Sequence, residues 1–306
     1  MPNSKQQTDR ELTVRRSELA CPASSAEKMA KAAASDTDEV VFDLEDGCAP
    51  SQKVAARKTL IETFNTLDFK GKVRAFRPNG MHTSFFYRDV IEVVEAAGSR
   101  IDAIVLPKID ESADVLFADR LLTQIEQHVG LTVGGIKLEV VIETPKAVLH
   151  AEQIAASTPR MAALIFGVLD YAGAIGARGP LKEQFALYHY PKARVLAAAR
   201  AASIDAIDSV TLQFRDLDQC ERDARMAAEM GFDGKWTIHP DQVKIVNRVF
   251  TPSEQELVRA RELLNMYQKA DISGDGVFVY HDEMIDAASL HIERKKLAIA
   301  KKVGSS

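Results

Sequence analysis

The chain has 306 residues, of which 46% are hydrophobic and 27% charged, and its formal net charge is −5 at pH 7. These proportions are typical of a soluble globular protein, and one (β/α)8 barrel of about 250 residues would leave roughly 50 residues over. The acidic balance argues against nucleic-acid binding. The longest apolar runs fall far short of the roughly 20 residues that span a bilayer, so we expect no membrane association.

Cysteine usage and the amino-terminal segment bear on the compartment. Cys21, Cys48 and Cys220 are far apart and form neither a zinc pattern nor a disulfide framework. The first dozen residues are polar and show no signal peptide. Both features predict a cytoplasmic protein, because a reducing compartment keeps scattered thiols free.

Eight short apolar runs recur along the chain, separated by amphipathic stretches such as Ala113–Leu131. The runs are rich in Val, Ile, Leu and Phe, as are strands buried on both faces. They are Arg16–Cys21, Glu39–Leu44, Lys72–Pro78, Asp102–Pro107, Lys137–Ile142, Ala162–Val168, Ala206–Leu212 and Gly234–Ile238. Strands that alternate with helices predict an α/β fold with a parallel sheet, and the count of eight favours a closed (β/α)8 TIM barrel over an open doubly wound sheet.

The pattern changes after about residue 250. Thr251 and Pro252 predict a helix start, with threonine as the cap and proline at the first helical position. We expect this helix to reach about Lys269, one strand-like run (GVFVY) to follow, and a last helix to cover about Met284 to Lys302. The prediction is a barrel domain over residues 1–250 and a C-terminal helical lid extension over residues 251–306.

Acidic residues follow several of the predicted strands. Glu45 and Asp46 follow the second, Glu143 follows the fifth and Asp170 the sixth. Because the carboxyl ends of parallel strands meet at one rim, these carboxylates would repel one another unless a cation intervened. Glu143 and Asp170 are the pair that we predict as direct Mg²⁺ ligands, with Glu45 and Asp46 behind them. The alternative is that each carboxylate caps the helix that follows its strand.

Three basic residues also lie at predicted strand ends. Arg77 is placed to bind a carboxylate or to stabilise an enolate-like oxygen, although an ion pair with Glu45 or Asp46 is compatible with the same position. Lys108 would suit a Schiff base, but the carboxylates favour a metal-assisted mechanism. We leave His239 outside the catalytic set as a structural residue.

Several of these strand-end segments resemble the citrate lyase β-subunit-like group of the HpcH/HpaI aldolase superfamily. The matching segments are Arg16-Ser17, VVFDLEDGCAP with Ala56-Arg57, Arg77-Pro78-Asn79, VLPKI, VVIET, FGVLDYAGAIGAR and GKWTIHPDQVKIVNRVFTPSEQE. They run in order from about residue 14 to residue 290. Phe86–Val90 and the LLTQIE helix look most like the malyl-CoA lyase branch.

The resemblance implies a Mg²⁺-dependent carbon–carbon lyase, with Mn²⁺ as the other metal to consider. Its reaction would be a reversible Claisen-type cleavage of a 3-hydroxyacyl-CoA such as malyl-CoA, β-methylmalyl-CoA or citramalyl-CoA. The products would be acetyl-CoA or propionyl-CoA and a 2-keto acid, glyoxylate or pyruvate. The resemblance also implies a homotrimer or homohexamer.

The resemblance further assigns residue roles. Glu143 and Asp170 become the metal ligands, Arg77 the substrate and oxyanion contact, and Glu45 and Asp46 supporting carboxylates. Asp286 matches the acid/base of the family's C-terminal lid, which typically acts in a neighbouring subunit's site. The sequence alone would make Asp286 a charge in the first turn of a helix.

Coenzyme A needs cations for its phosphates. We predict Arg16, Lys28 and Lys31 for that role, against the alternative that the two lysines are solvated helix charges. The chain departs from the family at Ala23, which stands where a glycine usually follows the first strand. If that position requires a positive φ, alanine costs about 1 kcal/mol or shifts the loop.

Other activities stay open from the sequence alone. A class II aldolase could use the same fold on a free 2-keto-4-hydroxy acid. A thioesterase step could follow condensation and give net malate synthesis. A carrier-binding citrate lyase β subunit without its own catalysis is disfavoured, because the ligand and acid/base positions are filled.

Overall fold

The computed structural model describes residues 14–178, 184–273 and 277–304. The described residues form two compact units: one lies within Arg15–Asn247, and the described residues from Arg248 onward belong to the other. Within the described ranges no helix is both long and apolar enough to cross a membrane.

The larger unit is a closed barrel of eight parallel strands. They are β1 (Ser17–Pro22), β2 (Glu39–Asp43), β3 (Val73–Arg77), β4 (Ala103–Leu106), β5 (Lys137–Ile142), β6 (Met161–Phe166), β7 (Asp205–Asp208) and β8 (Gly234–Thr237). Each strand pairs with its neighbours in chain order, and β8 closes the ring on β1. The eight predicted strands and the barrel are therefore confirmed.

Helices connect the strands and continue beyond the barrel. They are α1 (Ala26–Ala34), α2 (Lys53–Thr66), α3 (Phe86–Ala97), α4 (Ser112–Val129), α5 (Pro145–Leu149), α6 (Ala151–Ala155), α7 (Val168–Ala174), α8 (Gln184–Leu187), α9 (His189–Ala201), α10 (Leu217–Met230), α11 (Pro240–Phe250), α12 (Glu254–Ser273) and α13 (Ser289–Val303). The predicted amphipathic stretch at 113–131 is α4, which begins at a capping box formed by Glu111 and Asp114 and ends before Gly130 in the left-handed region.

Side chains fill the barrel interior in layers. The central layer is apolar and draws on all eight strands, with Ala20, Val41, Ala75, Val105, Val141, Ile165, Ile207 and Trp236 among its members. Because side chains alternate along a strand, residues two positions away face the same interior. Those toward the amino ends include Glu18, Glu39, Glu139 and Asp205, and those toward the carboxyl ends include Asp43, Arg77 and Glu143. The barrel thus has an apolar middle between two charged layers.

The C-terminal unit differs from the prediction in two ways. Ser253, not Thr251, caps α12: its hydroxyl accepts the N–H of Glu256, whose carboxylate accepts the N–H of Ser253. The last helix begins at Ser289 rather than near Met284. The intervening residues form a hairpin of two antiparallel strands, β9 (Val277–Tyr280) and β10 (Glu283–Asp286). The single predicted strand was therefore an undercount.

The hairpin turn explains that difference. His281 and Asp282 both adopt positive φ, 45° and 65°, the conformation of a two-residue hairpin turn. A His-Asp pair is a weak signal for such a turn, so the sequence pattern reads more easily as one strand before a helix. Phe278, Ile285 and Leu290 belong to one apolar cluster that ties the hairpin to α13.

Candidate active site at the carboxyl rim

Arg77 is held at the rim by Asp43. Arg77 ends β3 and Asp43 ends β2, and the two residues lie side by side in the parallel ladder. The guanidinium donates to both carboxylate oxygens, Nε to Oδ1 at 2.8 Å and Nη2 to Oδ2 at 2.7 Å. Such a two-point contact fixes the plane and direction of the guanidinium.

Asp43 is itself oriented by the turn that follows it. The backbone N–H groups of Glu45 and Gly47 donate to its two oxygens at 2.8 and 2.7 Å. Burial opposes ionisation of Asp43, but Arg77 and these N–H groups outweigh burial and lower its pKa. Residue 47 must be glycine, because a Cβ there would lie 2.6 Å from Asp43 Oδ2. Sequence reasoning did not assign Asp43 a role, although it opens the Asp43–Asp46 acidic segment.

Three predicted carboxylates converge on the ammonium of Lys108. Its Nζ hydrogen-bonds to Asp170, lies 3.7 Å from Glu143 Oε2 and 4.0 Å from Glu45 Oε1. The backbone N–H of Lys108 also donates to Glu143 Oε1 at 2.7 Å, and the residue has a φ of 54°. Positive φ is uncommon for a residue with a side chain, so the surrounding contacts hold Lys108 in this position.

The electrostatics of the cluster favour a cation. Burial raises the pKa of Glu143 to about 8, against the opposing effect of Lys108. Burial likewise raises the pKa of Glu45 to about 7, although Arg77 acts in the opposite direction. Glu45 Oε2 lies 3.2 Å from Arg77 Nη1 yet accepts no hydrogen bond. Further positive charge at this point would stabilise the ionised form of both carboxylates.

The donor set fits a hard divalent cation. Carboxylate oxygens are the ligands that Mg²⁺ prefers, and Glu143 and Asp170 already contact one positive group from two sides. Gly167 keeps the space beside them open, because a Cβ there would lie 2.5 Å from Glu143 Cβ and 3.0 Å from its Oε2. Asp170 is not at a strand end as predicted: β6 stops at Phe166 and Asp170 lies in the first turn of α7.

A second row of residues fixes the segment that carries Glu45. Lys53 Nζ donates to the carbonyl oxygens of Leu44 and Glu45 at 3.1 and 3.0 Å and also contacts Asn79 Oδ1. Asn79 in turn donates its backbone and side-chain N–H groups to Asp89. These contacts link segments that are far apart in the chain, and sequence reasoning missed them.

The residues predicted for coenzyme A are placed differently from one another. Lys28 lies in the first turn of α1, which follows the carboxyl end of β1, and is exposed. Lys31 forms an exposed ion pair with Glu27 at 2.7 Å, the solvated helix pair that was the alternative.

Arg16 is not at the rim. It precedes β1, at the amino end of the barrel, and its guanidinium binds both oxygens of Asp38 at 2.8 Å. We therefore remove Arg16 from the predicted coenzyme A contacts: the direction of β1 places it at the opposite end from Arg77.

Three further positions from the sequence analysis lie as follows in the structure. Ala23 is buried, donates its N–H to Asp43 O and is not among the described residues with positive φ, so alanine fits there without backbone strain. Asp46 is exposed beside Glu45. His239 stacks on Phe214 with ring centroids 5.2 Å apart, in keeping with a structural role.

Asp286 lies in the C-terminal unit at the end of β10. Its carboxylate accepts the N–H and the hydroxyl of Ser289 at 3.0 Å and so caps α13. The predicted position inside the first turn of a helix was wrong, but the interaction with a helix start is present. These hydrogen bonds lower the pKa of Asp286.

The chain is similar to a known family of enzymes. The family model described as HpcH/HpaI aldolase/citrate lyase matches residues 16–240, well over half of the chain. An L-malyl-CoA/beta-methylmalyl-CoA lyase of Cereibacter sphaeroides is 38% identical over 290 residues, which cover 90% of this chain and 91% of the relative. A (3S)-malyl-CoA thioesterase of the same species is 33% identical over 289 residues, covering 94% of each chain.

Solved structures show the same architecture. The protein CitE of Mycobacterium tuberculosis, in complex with magnesium, acetoacetate and coenzyme A, superposes with a TM-score of 0.77 at 28% identity and covers 94% of this chain and 98% of its own. A citrate lyase of Burkholderia xenovorans has a TM-score of 0.83 at 23% identity over 97% and 94% of the two chains, which supports the fold. The chain is thus a carbon–carbon lyase that belongs to the HpcH/HpaI aldolase/citrate lyase family.

Proposed function

We propose that this protein is a Mg²⁺-dependent lyase that cleaves a 3-hydroxyacyl-CoA of the malyl-CoA, β-methylmalyl-CoA or citramalyl-CoA type. The products are acetyl-CoA or propionyl-CoA and glyoxylate or pyruvate. The observation that carries this proposal is that three carboxylates converge on the ammonium of Lys108, close to Arg77. They belong to Glu45, Glu143 and Asp170. Relatives that cleave malyl-CoA and a neighbour with bound magnesium and coenzyme A support the substrate class.

The charges at the rim suit the electronic demands of this cleavage. A base takes the hydroxyl proton, the oxygen's electron pair forms the carbonyl of the 2-keto acid, and the carbon–carbon bond breaks. The electron pair of that bond becomes a thioester enolate, which then takes a proton at carbon. Mg²⁺ held by Glu143 and Asp170 would supply Lewis-acid polarisation of substrate oxygens. Arg77, fixed by Asp43, offsets the negative charge that develops on the enolate oxygen. Glu45 and the exposed Asp46 add negative charge that keeps cations at the rim.

The C-terminal unit supplies the proton transfer in this proposal. Following the family resemblance, Asp286 exchanges the proton at the methyl carbon, in a neighbouring subunit of a homotrimer or homohexamer. Hydrogen bonds from Ser289 lower its pKa and so favour the carboxylate, the form that takes the proton from carbon in the condensation direction. In the cleavage direction its conjugate acid returns that proton to the enolate carbon. In this scheme residues 251–306 are the lid.

We expect Asp286→Asn to leave coenzyme A binding within about 2-fold while turnover falls by about 10²-fold or more, because a proton-transfer group typically contributes 10²–10⁴-fold. Equilibrium binding of acetyl-CoA and steady-state turnover measure the two effects separately. Asp282→Asn, in the turn of the same hairpin, is the matched control and should keep its turnover. Normal turnover of Asp286→Asn would remove Asp286 from the mechanism.

Mg²⁺ affinity should depend on pH. Because Glu143 has a pKa of about 8 without a metal, it is largely protonated below that pH and must lose its proton to bind a cation. The association constant should therefore fall by about tenfold per pH unit below about pH 8 and level off above it. Calorimetric titration of Mg²⁺ in two buffers of different ionisation enthalpy measures both the affinity and the released proton. A pH-independent affinity would contradict the buried-ligand assignment of Glu143.

One assay tests the proposed reaction itself. Purified protein is incubated with Mg²⁺ and a panel of 3-hydroxyacyl-CoA thioesters, and the released glyoxylate or pyruvate is trapped with a carbonyl reagent. We expect cleavage of at least one thioester, and addition of a chelator should stop it. Turnover of a free 2-keto-4-hydroxy acid without cleavage of any thioester would instead establish the aldolase alternative.

A thioesterase step is a second candidate function. The similarity to a (3S)-malyl-CoA thioesterase covers nearly the whole chain at 33% identity. Chromatography of the same incubations separates the two outcomes. A lyase leaves the acyl group on coenzyme A as acetyl-CoA or propionyl-CoA, whereas a thioesterase releases free coenzyme A with a hydroxy acid.

A further inference from the structure

A second group of carboxylates lies inside the barrel, at the end opposite the rim. Glu18 of β1, Glu39 of β2 and Glu139 of β5 are fully buried and face one another across the barrel base. One ligand oxygen from each residue lies within 4.8 Å of the other two. This group, the base cluster, plays no part in the chemistry at the rim.

Charge is not balanced in the base cluster. Arg15 is the cation that faces it: Nε lies 2.9 Å from Glu39 Oε2 and 2.9 Å from Glu139 Oε1, and Nη1 lies 2.7 Å from Asp205 Oδ2. One guanidinium therefore stands against the three fully buried carboxyl groups of the base cluster, and it also binds Asp205, whose side chain is 29% exposed. Burial of an isolated carboxylate costs several kcal/mol of desolvation free energy, so further positive charge or bound protons must compensate.

Glu18 shows which compensation the geometry favours. Both of its carboxyl oxygens are buried and, among the described residues, neither has a hydrogen-bond partner. A proton shared between Glu39 and Glu139 would satisfy those two carboxyl groups but would leave both oxygens of Glu18 without a donor. Metal coordination satisfies carboxylate oxygens without a hydrogen-bond donor, which is what these oxygens require.

We propose that Glu18, Glu39 and Glu139 ligate a structural divalent cation at the base of the barrel. Two oxygens on opposite sides of one ion, each at about 2.1–2.4 Å, are at most about 4.8 Å apart, so the oxygens of the base cluster are close enough to share one ion. The ligands are all carboxylate oxygens, so the ion is a hard one of the Mg²⁺, Mn²⁺ or Ca²⁺ class. Burial and mutual repulsion raise the pKa of Glu18 in the ion's absence.

This site is separate from the rim site. Glu139 lies on β5 and Glu143 directly follows that strand, four residues further along, so the two sites are roughly 13 Å apart. The base cluster is sealed above by the apolar central layer and beside it by Arg15, which is 7% exposed. The ion is therefore captured as the chain folds, and a chelator should remove it only from the unfolded chain.

Metal analysis of the full-length protein tests the proposal. After exhaustive dialysis of the folded protein against EDTA, we expect about one divalent ion per chain to remain in the wild type and in Glu143→Gln, and less than about 0.1 in Glu18→Gln. Glu143→Gln is the matched control, because it replaces a carboxylate of the rim site by an amide of the same shape and leaves the base cluster intact. A wild-type protein without bound metal after dialysis would overturn the proposal.

Unfolding measurements test the proposal even if Glu18→Gln does not fold. Wild-type protein is unfolded in guanidinium with EDTA and refolded with EDTA alone or with Mg²⁺, Mn²⁺ or Ca²⁺. Glu143→Gln is treated in the same way, because it lacks the rim ligand and keeps the base cluster. Its denaturation midpoint should rise with at least one of these metals, whereas the rise in the wild type also includes any metal bound at the rim. Equal midpoints of Glu143→Gln refolded with and without metal would overturn the proposal. A denaturation midpoint of Glu18→Gln at or above that of the wild type would also overturn the proposal. That result is expected if protons, and not a metal ion, compensate the buried carboxyl groups, because an amide then replaces a neutral carboxyl group at no cost in stability.

Discussion

Glu143→Gln should lower Mg²⁺-dependent turnover by about 10³-fold or more, because the amide cannot supply the charge that holds a cation at the rim. The shape of the side chain is kept, and so is its packing against Gly167. Thermal unfolding adds a second expected result. Added Mg²⁺ should raise the melting temperature of the wild type, as a ligand of the folded state does, and should leave that of the variant unchanged.

The matched control for this variant is Asp241→Asn. Asp241 follows β8, on the same rim, but its side chain is 70% exposed and lies outside the carboxylate group around Lys108. It should retain both turnover and the Mg²⁺-induced rise in melting temperature. If Glu143→Gln kept either property at the wild-type level, Glu143 would not be a metal ligand.

The second large effect is expected at Asp43, a residue that touches neither the proposed metal nor the substrate in our scheme. Each oxygen of Asp43 accepts one hydrogen bond from Arg77 and one from a backbone N–H group of the turn. Asp43→Asn replaces one of these oxygens by an NH2 group, which would then face two other donors. We expect kcat to fall by about 10²–10³-fold with a smaller change in KM, since Arg77 would lose its orientation toward the enolate oxygen. The unfolding free energy should fall by about 3–5 kcal/mol. Steady-state kinetics and urea denaturation measure the two effects.

Asp38→Asn separates catalysis from stability in this experiment. Asp38 holds Arg16 at the amino end of the barrel through the same two-point contact that Asp43 makes with Arg77. Its loss should destabilise the protein without changing kcat. If Asp43→Asn lost stability but kept its kcat, as expected of Asp38→Asn, Asp43 would be structural and Arg77 would not need its orientation.

The comparison of these two pairs shows why some roles escape sequence reasoning. Arg16 opens the first predicted strand and Arg77 lies near the carboxyl end of the third, so the sequence predicts a place at the rim for Arg77 and none for Arg16. Arg16 precedes its strand and Arg77 ends its own, so the direction of the chain through the barrel puts them at opposite ends. Boundaries shifted by one residue, such as Arg16–Cys21 against Ser17–Pro22, are enough to blur that distinction.

Asp170 and Asp286 illustrate a different limit. For both residues the sequence weighed a charge near a helix start against a role in chemistry, and the structure places both of them at the start of a helix. Asp170 occupies the first turn of α7 and also contacts Lys108 with the rim carboxylates. Asp286 caps α13 from the end of a strand that the sequence did not predict. A carboxylate at a helix start can also point into a site, so local pattern alone cannot choose between the two.

The sequence by itself determined the eight buried strands and the acidic residues that follow them, because strand periodicity and strand ends are properties of residues within a few positions of one another. It favoured a closed barrel over an open sheet, and the pairing of β8 with β1 decided between the two. Only the tertiary structure decided that Asp43 orients Arg77 and that Lys108 joins three rim carboxylates. The base cluster depends in the same way on strand register, which brings Glu18 and Glu39 opposite each other and Glu139 to them across the barrel. The surplus beyond the barrel, which length alone indicated, became a unit with a hairpin and two long helices, because the turn at His281 and Asp282 depends on packing against α13 as well as on its own residues.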